Sequence, residues 1–302
     1  MTVLETKPVE PATPTRSVWP WRDHPSFLWL LVAGIVVAIR PLVPHADWLL
    51  IHLVLLGALT HAAIVWSTHV TQALLKTGPT IDVRRTQSRR LELLFAGVAL
   101  VLTGVVAERW VLTVTGAILV SGAVVWHAVM LWRRLRASIA VRFRTTVHYY
   151  LAAATCVPLG ATFGALLARG PDDDLRGRLL VAHTMVMVLG WLGLTVTGTL
   201  VTLWPTMLRT RMDPRAERLA RQGLPILIGA VMVIVAGALT GVQLLAAAGL
   251  LLYLAGGAWW GRALWLPLRQ ATDRVRPALR GGRPDLGAQR DWVDRGKPCP
   301  AG

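Results

Sequence analysis

Charge and cysteine are both scarce in this sequence. Charged residues make up 16% of the 302 residues, whereas hydrophobic residues make up 54%. A soluble globular protein carries charges on roughly a quarter of its residues, so this chain has too few to cover a water-exposed surface. The two cysteines, Cys156 and Cys299, are too few for a disulfide framework or a thiolate metal site. These absences exclude a soluble domain and a disulfide-stapled secreted scaffold.

Several catalytic and transport motifs are also absent. The sequence has no phosphate-binding glycine loop and no nucleophile-elbow motif. Glu92 and Glu108 lie at the ends of apolar runs, so no pair of carboxylates is expected at mid-membrane. A proton-coupled transporter normally needs an intramembrane acid or a broken helix. The sequence therefore disfavours that class, although Pro158 and Pro225 can kink their helices.

Long apolar runs are what the sequence has in quantity. Runs such as 91–107 are continuous, so they predict membrane-spanning helices rather than the alternating strands of a membrane barrel. The spacings Gly160 to Gly164 and Gly237 to Gly241 predict close packing between such helices. We expect an all-α, polytopic transmembrane helix bundle of about eight helices, at residues 27–43, 48–75, 91–107, 110–132, 147–168, 179–204, 224–241 and 242–261.

Basic residues mark every second loop of this bundle. The positive-inside rule then places both termini in the cytoplasm (N-in/C-in) of a multi-pass plasma-membrane protein. The net charge of +16 therefore reflects the orientation of the chain in the membrane. The expected partner is the lipid bilayer and not a nucleic acid. The basic residues are Lys76, Arg84, Arg85, Arg89 and Arg90, then Arg133, Arg134, Arg136, Arg142 and Arg144, and then Arg209, Arg211, Arg215, Arg218 and Arg221.

The domain limits follow from the predicted spans. We expect a cytoplasmic N-terminal segment at 1–25, the bundle at 26–262 and a basic cytoplasmic tail at 263–302. The N-terminus lacks the basic-then-apolar layout of a signal peptide, so nothing is predicted to be removed. After Arg269 the tail is rich in proline and glycine, and it is expected to be disordered or to lie on anionic headgroups.

Histidine is the most informative residue type in the spans. Ionisable side chains are costly inside a membrane, which makes them candidates for function. The alternative for each is a neutral imidazole that only bonds to a neighbouring helix. Of the eight histidines, those within predicted spans are His52, His61, His69, His127, His148 and His183.

Two pairs of these histidines are predicted to share a depth. His52 and His183 each lie five residues inside the outer end of a span, which makes an outer pair. His69 and His127 lie seven and six residues before the basic residue at the inner end of a span, which makes an inner pair. The two levels are 17 residues apart on the second span, or about 25 Å of helix rise.

Facing imidazoles from two helices are the axial ligands that a six-coordinate haem iron needs. The sequence therefore predicts one or two haem b groups, the outer one bound by His52 and His183 and the inner one by His69 and His127. Two such levels would form an electron path across the membrane.

The same helix geometry indicates roles for residues around these pairs. Gly190 and Gly116 share helix faces with the histidines of their spans and are expected to leave room for a flat macrocycle. Arg40 either pairs with haem propionates at the outer level or extends to the outer interface. His61 is turned away from the outer site on an ideal helix, and His148 is expected to extend to the inner interface.

Copper is a second metal that the sequence allows. His127 is followed by Met130, and His183 by Met187, so each pair places an imidazole and a thioether on one helix face. Imidazole and thioether are ligands that suit copper.

Three segments carry a family resemblance. They read HLVLLGALTHAAIVWSTH at 52–69, VAH at 181–183 and GTLVTLWPTMLRTRM at 198–212. Over about residues 26–262 the chain resembles the membrane region that precedes a copper-binding cupredoxin module in multicopper-oxidase or nitrite-reductase-like proteins of high-GC Gram-positive bacteria. That region is distantly similar to the haem-copper oxidase subunit I and NnrS type of membrane protein.

The resemblance implies haem and copper chemistry, with His52, His69, His127 and His183 at the matching positions. This sequence has no cupredoxin module after the bundle and no adjacent-histidine copper site. The resemblance therefore implies an electron-transfer subunit of an oxidoreductase, with no catalytic residue assigned. Its partner would be a separate extracytoplasmic cupredoxin or multicopper oxidase, which could dock on the acidic patch at 172–174.

The leading hypothesis is a membrane b-type haem protein that moves electrons, in copper or nitrogen-oxide redox chemistry, or senses a small gas. The alternative is a haem-free copper-binding or transport bundle in which His61, His69 and Met130 line a path. A third hypothesis is a structural subunit whose histidines only bond between helices.

Overall fold

The computed structural model describes residues 24–76, 81–138 and 143–280, with side chains within 25–76, 85–138 and 143–273. These residues are helical, with no strand among them, and the predicted all-α fold is confirmed. The helices are α1 (His24–Ala38), α2 (Ala46–Leu75), α3 (Ile81–Val106), α4 (Trp110–Ala137), α5 (Arg144–Leu167), α6 (Asp173–Met207), α7 (Ala216–Thr240) and α8 (Gln243–Arg280).

Six of these helices, namely α2 and α4 to α8, are long and apolar enough to cross a membrane. The remaining predicted spans fall on α1, which is apolar but shorter, and on α3, whose apolar part starts only at Leu91. Large apolar side chains point outward along the helices, as Leu244 and Leu251 do on α8. Such a surface suits lipid better than water, so the chain is a multi-pass membrane protein.

Two of the predicted domains are only partly described. Helix α8 continues to Arg280, beyond residue 262, after which the sequence predicted the tail. Residues 1–23 and 281–302, which include most of the predicted N-terminal segment and Cys299, lie outside the described residues.

The chain divides into two compact units, residues 1–65 and 66–302. In the first unit α1 packs on α2 at Gly57, where an added Cβ would lie 2.8 Å from Cγ of Trp29. The missing side chain therefore lets the indole of Trp29 lie directly on the backbone of α2.

Close antiparallel helix pairs build the second unit. Gly104 of α3 lies so near Thr113 of α4 that an added Cβ would be 2.5 Å from its amide nitrogen. Seven residues earlier on α3, Gly97 approaches the amide nitrogen of Val120 in the same way, at 2.8 Å. These two contacts fix the register of α3 against α4.

Helices α7 and α8 form a second such pair, at one of the predicted small-residue spacings. Gly237 lies against the backbone of Ala246. Gly241 makes the turn between the helices with a left-handed φ of 75°, a conformation that suits a residue without Cβ.

An ion pair organises the loop between α6 and α7. The side chain of Asp213 is only 1% exposed and accepts hydrogen bonds from the main-chain N–H and the guanidinium of Arg215. Burial alone would raise the pKa of Asp213. The hydrogen bonds from Arg215 and the charges of Arg215 and Arg218 outweigh burial, so the pKa lies below its ordinary value.

Candidate functional site

Both histidines of the predicted outer pair lie next to a stretch of π-helix. In α2 the π-helical segment Leu53–Leu59 begins directly after His52. In α6 the segment Val186–Gly193 begins three residues after His183. π-Helical turns are rare in proteins and are frequently found at functional sites. His52 belongs to the first unit and His183 to the second.

His52 is anchored within its own helix. Its Nδ1–H donates to the carbonyl oxygen of Trp48 at 2.8 Å, and its ring stacks on the indole of Trp48 with centroids 4.0 Å apart. A carbonyl can only accept, so the proton is on Nδ1, and in the neutral imidazole the lone pair is on Nε2. Arg40, predicted either to pair with haem propionates or to extend to the outer interface, forms an exposed ion pair with Asp47 at 2.6 Å.

His183 is anchored by a neighbouring helix. Its Nδ1–H donates to the carbonyl oxygen of Gly160 on α5 at 2.8 Å, which again leaves the lone pair on Nε2. An added Cβ at Gly164 would lie 3.1 Å from Cε1 of His183. The predicted spacing Gly160 to Gly164 is therefore the groove that receives this imidazole.

Two sulfur atoms lie near His183 in the contact between α5 and α6. Met187, one turn further on α6, places its sulfur against Gly160, and Cys156 of α5 places its sulfur against Gly190. The contact between α5 and α6 thus carries an imidazole, a thioether and a thiol on successive turns. Both Cys156 and Met187 pack against the same buried apolar cluster.

The glycines predicted to make room for a macrocycle serve helix packing instead. An added Cβ at Gly190 would lie 2.6 Å from the sulfur of Cys156. One at Gly116 would lie 2.6 Å from the carbonyl oxygen of Gly97 and the amide nitrogen of Val101. The prediction that these glycines leave room for a macrocycle was wrong. Two residues on one helix face do not reveal which neighbouring helix packs against that face.

The inner pair is not arranged as the sequence predicted. Nε2 of His127 shares a hydrogen bond of 2.9 Å with Oγ of Ser67, and its Nδ1 is buried without a hydrogen-bond partner. His69 lies two residues beyond Ser67, about 200° further around an ideal helix. It is partly buried, and its ring lies at 64° to the indole of Trp66 with centroids 6.3 Å apart. The structure thus brings Ser67, and not His69, to the nitrogen that a haem iron would need, so an inner haem does not fit these residues.

The other two histidines within spans have local partners. His61 is buried, and its Nδ1–H donates to the carbonyl oxygen of Gly57 at 2.8 Å. The exposed His148 donates from Nδ1 in the same way to the carbonyl oxygen of Arg144. His148 thus bonds as His52 does, but no π-helical segment lies beside His148.

No group of three or more His, Cys, Asp or Glu that could hold a metal ion occurs among the described side chains. In the acidic patch, Asp172 caps α6 by accepting from Leu175 N, and Asp174 pairs with Arg178 at 2.7 Å.

The sequence prediction misplaced one residue. Arg90, assigned to a basic loop, is 0% exposed and lies within α3. The signal was its place directly before the apolar part of that helix.

Comparison of the chain with protein-family models, curated proteins and solved structures gives no match.

Proposed function

We propose that this chain is an integral membrane electron carrier that binds b-type haem, with His183 as an axial ligand. The supporting observation is the hydrogen bond from Nδ1 of His183 to the carbonyl oxygen of Gly160. Histidines that ligate metals almost always donate their other ring N–H to such a partner, which fixes the tautomer and the ring orientation. The adjacent π-helical segment adds to this support.

Haem would supply one-electron redox chemistry within the bilayer. The chain would supply the ligand nitrogen, Nε2 of His183, held in place by α5. His52 carries the same tautomer and the same kind of neighbouring segment, which supports its predicted role as a ligand.

Copper binding is the second candidate, and a separate observation favours it. Thioether and thiol ligands select Cu(I), and His183 lies in one helix contact with Met187 and Cys156. A haem-free protein that binds one Cu(I) per chain in the presence of a competing chelator would support this function. Met187→Leu and Cys156→Ser should then weaken Cu(I) binding, whereas neither should change haem content if haem is the cofactor.

The proposed partner is an extracytoplasmic cupredoxin or multicopper oxidase, as the family resemblance implies. This partner would dock at the start of α6. Asp173 is exposed there, between Asp172, which caps the helix, and Asp174, which pairs with Arg178. The proposed location is the plasma membrane, with both termini in the cytoplasm as the distribution of basic loops supports.

A reduced-minus-oxidised absorption spectrum of the purified protein tests the proposal. The protein would be expressed with ample haem supply, and a haemochrome assay would give haem per chain. We expect the absorbance bands of a six-coordinate b-type haem. A colourless protein with no bound copper would contradict both candidates and leave a structural role.

A further inference from the structure

A group of buried hydrogen-bond donors has no partner in the second unit. Arg90 is 0% exposed, and its Nε, Nη1 and Nη2 make no hydrogen bond. Four other buried atoms also make no hydrogen bond, namely Nη1 of Arg134, Nε2 of Gln87, Oγ1 of Thr71 and Nδ1 of His127. The side chains of Gln87, Thr71 and His127 are each at most 2% exposed.

The register of α3 against α4 brings several of these groups to one level. Gly97 lies opposite Val120, and seven further residues along each helix bring Arg90 level with His127. Gln87 lies one turn from Arg90 on the same face of α3. Arg134 lies two turns from His127 on the same face of α4.

Helix α2 closes the group from another side. Ser67 is hydrogen-bonded to His127, and Thr71 lies one turn further along the same face of α2. Three helices therefore surround the group, and each contributes a buried polar atom.

The group carries positive charge, and no acid pairs with it among the side chains that the structure describes. The charges of Arg90 and Arg134 act on each other, and both act on His127. The ion pairs among the described side chains lie elsewhere, at Arg40, Arg178 and Arg215. A buried, unpaired guanidinium is strongly unfavourable, so this arrangement calls for an anion.

We propose that Arg90, Arg134, Gln87, Thr71 and His127 bind one small oxyanion between α2, α3 and α4. All of the unpartnered atoms can donate hydrogen bonds, so they match a ligand that offers several acceptor oxygens. The guanidinium fork suits the paired oxygens of a phosphate or carboxylate group. Complete burial of Arg90 selects a small free ion over the headgroup of a lipid. This site is independent of the proposed haem.

Binding of inorganic phosphate tests this site. Purified protein in neutral detergent would be dialysed against labelled phosphate at constant ionic strength, with thermal unfolding followed by tryptophan fluorescence. We expect saturable binding of one phosphate per chain and a rise in unfolding temperature. Formate should compete for the site, whereas chloride, which has no paired oxygens, should not.

Arg90→Gln should weaken phosphate binding by about tenfold or more, because a charged hydrogen-bond donor to a buried anion is lost. Arg89→Gln is the matched control, since it removes the same charge from the exposed neighbouring residue and should bind phosphate as the wild type does. If Arg90→Gln does not fold, Arg134→Gln serves instead, because that side chain is only partly buried.

Absence of saturable phosphate and formate binding would overturn the proposal. Equal weakening by Arg89→Gln would also overturn it, because the effect would then be one of net charge. Stabilisation by phosphatidylglycerol, without any response to phosphate or formate, would assign the group to a lipid instead. None of these outcomes depends on the haem spectrum, so this site and the proposed function fail separately.

Discussion

Nδ1 of His183 lies 2.8 Å from the carbonyl oxygen of Gly160, and this hydrogen bond ties α6 to α5 beside the bare position Gly164. A side chain at Gly164 would press on Cε1 of His183, since an added Cβ would be 3.1 Å away. Gly164→Ala is therefore expected to displace the imidazole. It should lower the free energy of unfolding by about 1–2 kcal/mol and reduce haem content.

Gly177→Ala is the control for that variant. Gly177 lies on α6, and nothing is within 4 Å of its added Cβ. It should leave haem content unchanged and either leave stability unchanged or raise it by up to about 1 kcal/mol through helix propensity. Thermal unfolding and the haemochrome assay compare the two proteins. Equal stability and equal haem content in both variants would contradict the role given to Gly164.

The contact between α3 and α4 predicts a larger effect at Gly104. An added Cβ there would lie 2.5 Å from the amide nitrogen of Thr113, and a backbone atom cannot move aside as a side chain can. Gly104→Ala should cost about 1–3 kcal/mol of stability. Gly122→Ala, in open space on α4, should cost nothing. Thermal unfolding of both variants in one detergent measures the difference, and a stable Gly104→Ala protein would argue against this register.

The hydrogen bond between Ser67 and His127 gives a test of the inner site. Ser67→Ala leaves Nε2 of buried His127 without its partner and should cost about 1–3 kcal/mol. Haem content should not change, because the structure gives this imidazole no role at a haem. A rise in haem per chain would show that the hydroxyl had blocked a ligand, and it would restore the predicted inner haem.

The ion pair of Asp213 predicts a dependence of stability on pH. Its pKa is lower in the folded protein than in the unfolded chain, whose aspartate pKa is about 3.9. The unfolded state therefore binds more protons, so the stabilisation is present above about pH 4 and is lost as the pH falls through the folded pKa. Unfolding temperature should drop over this acidic range in the wild type and drop less in Asp213→Asn. Parallel pH profiles for the two proteins would contradict this.

The helices could be predicted from the sequence because continuous apolar runs of span length have one common explanation. The predicted span at 110–132 falls within α4, and that at 147–168 almost coincides with α5. The π-helical segments could not be predicted, because they depend on which neighbours pack against α2 and α6 rather than on local composition. The direction of His61 relative to His52 was predicted for an ideal α-helix, yet the π-helical segment Leu53–Leu59 lies between the two residues.

The candidate site could be predicted only in part, because depth along a helix says nothing of direction around it. Residue counts give His69 and His127 one depth, yet the side chain that meets His127 is Ser67. Charge counting likewise assigned Arg90 to a loop, although its side chain is completely buried. His183 was identified correctly as a residue within a span, whereas its partner Gly160 depends on the packing of α5 against α6.

The most direct test of the proposed function is the haem content per chain of His183→Ala, compared with wild type and with His148→Ala. His148 is the matched control, because it makes the same kind of Nδ1 hydrogen bond from an exposed position. We predict that His183→Ala loses the bound haem while remaining folded by tryptophan fluorescence, and that His148→Ala keeps it. Wild-type haem content in a folded His183→Ala protein would contradict His183 as the axial ligand.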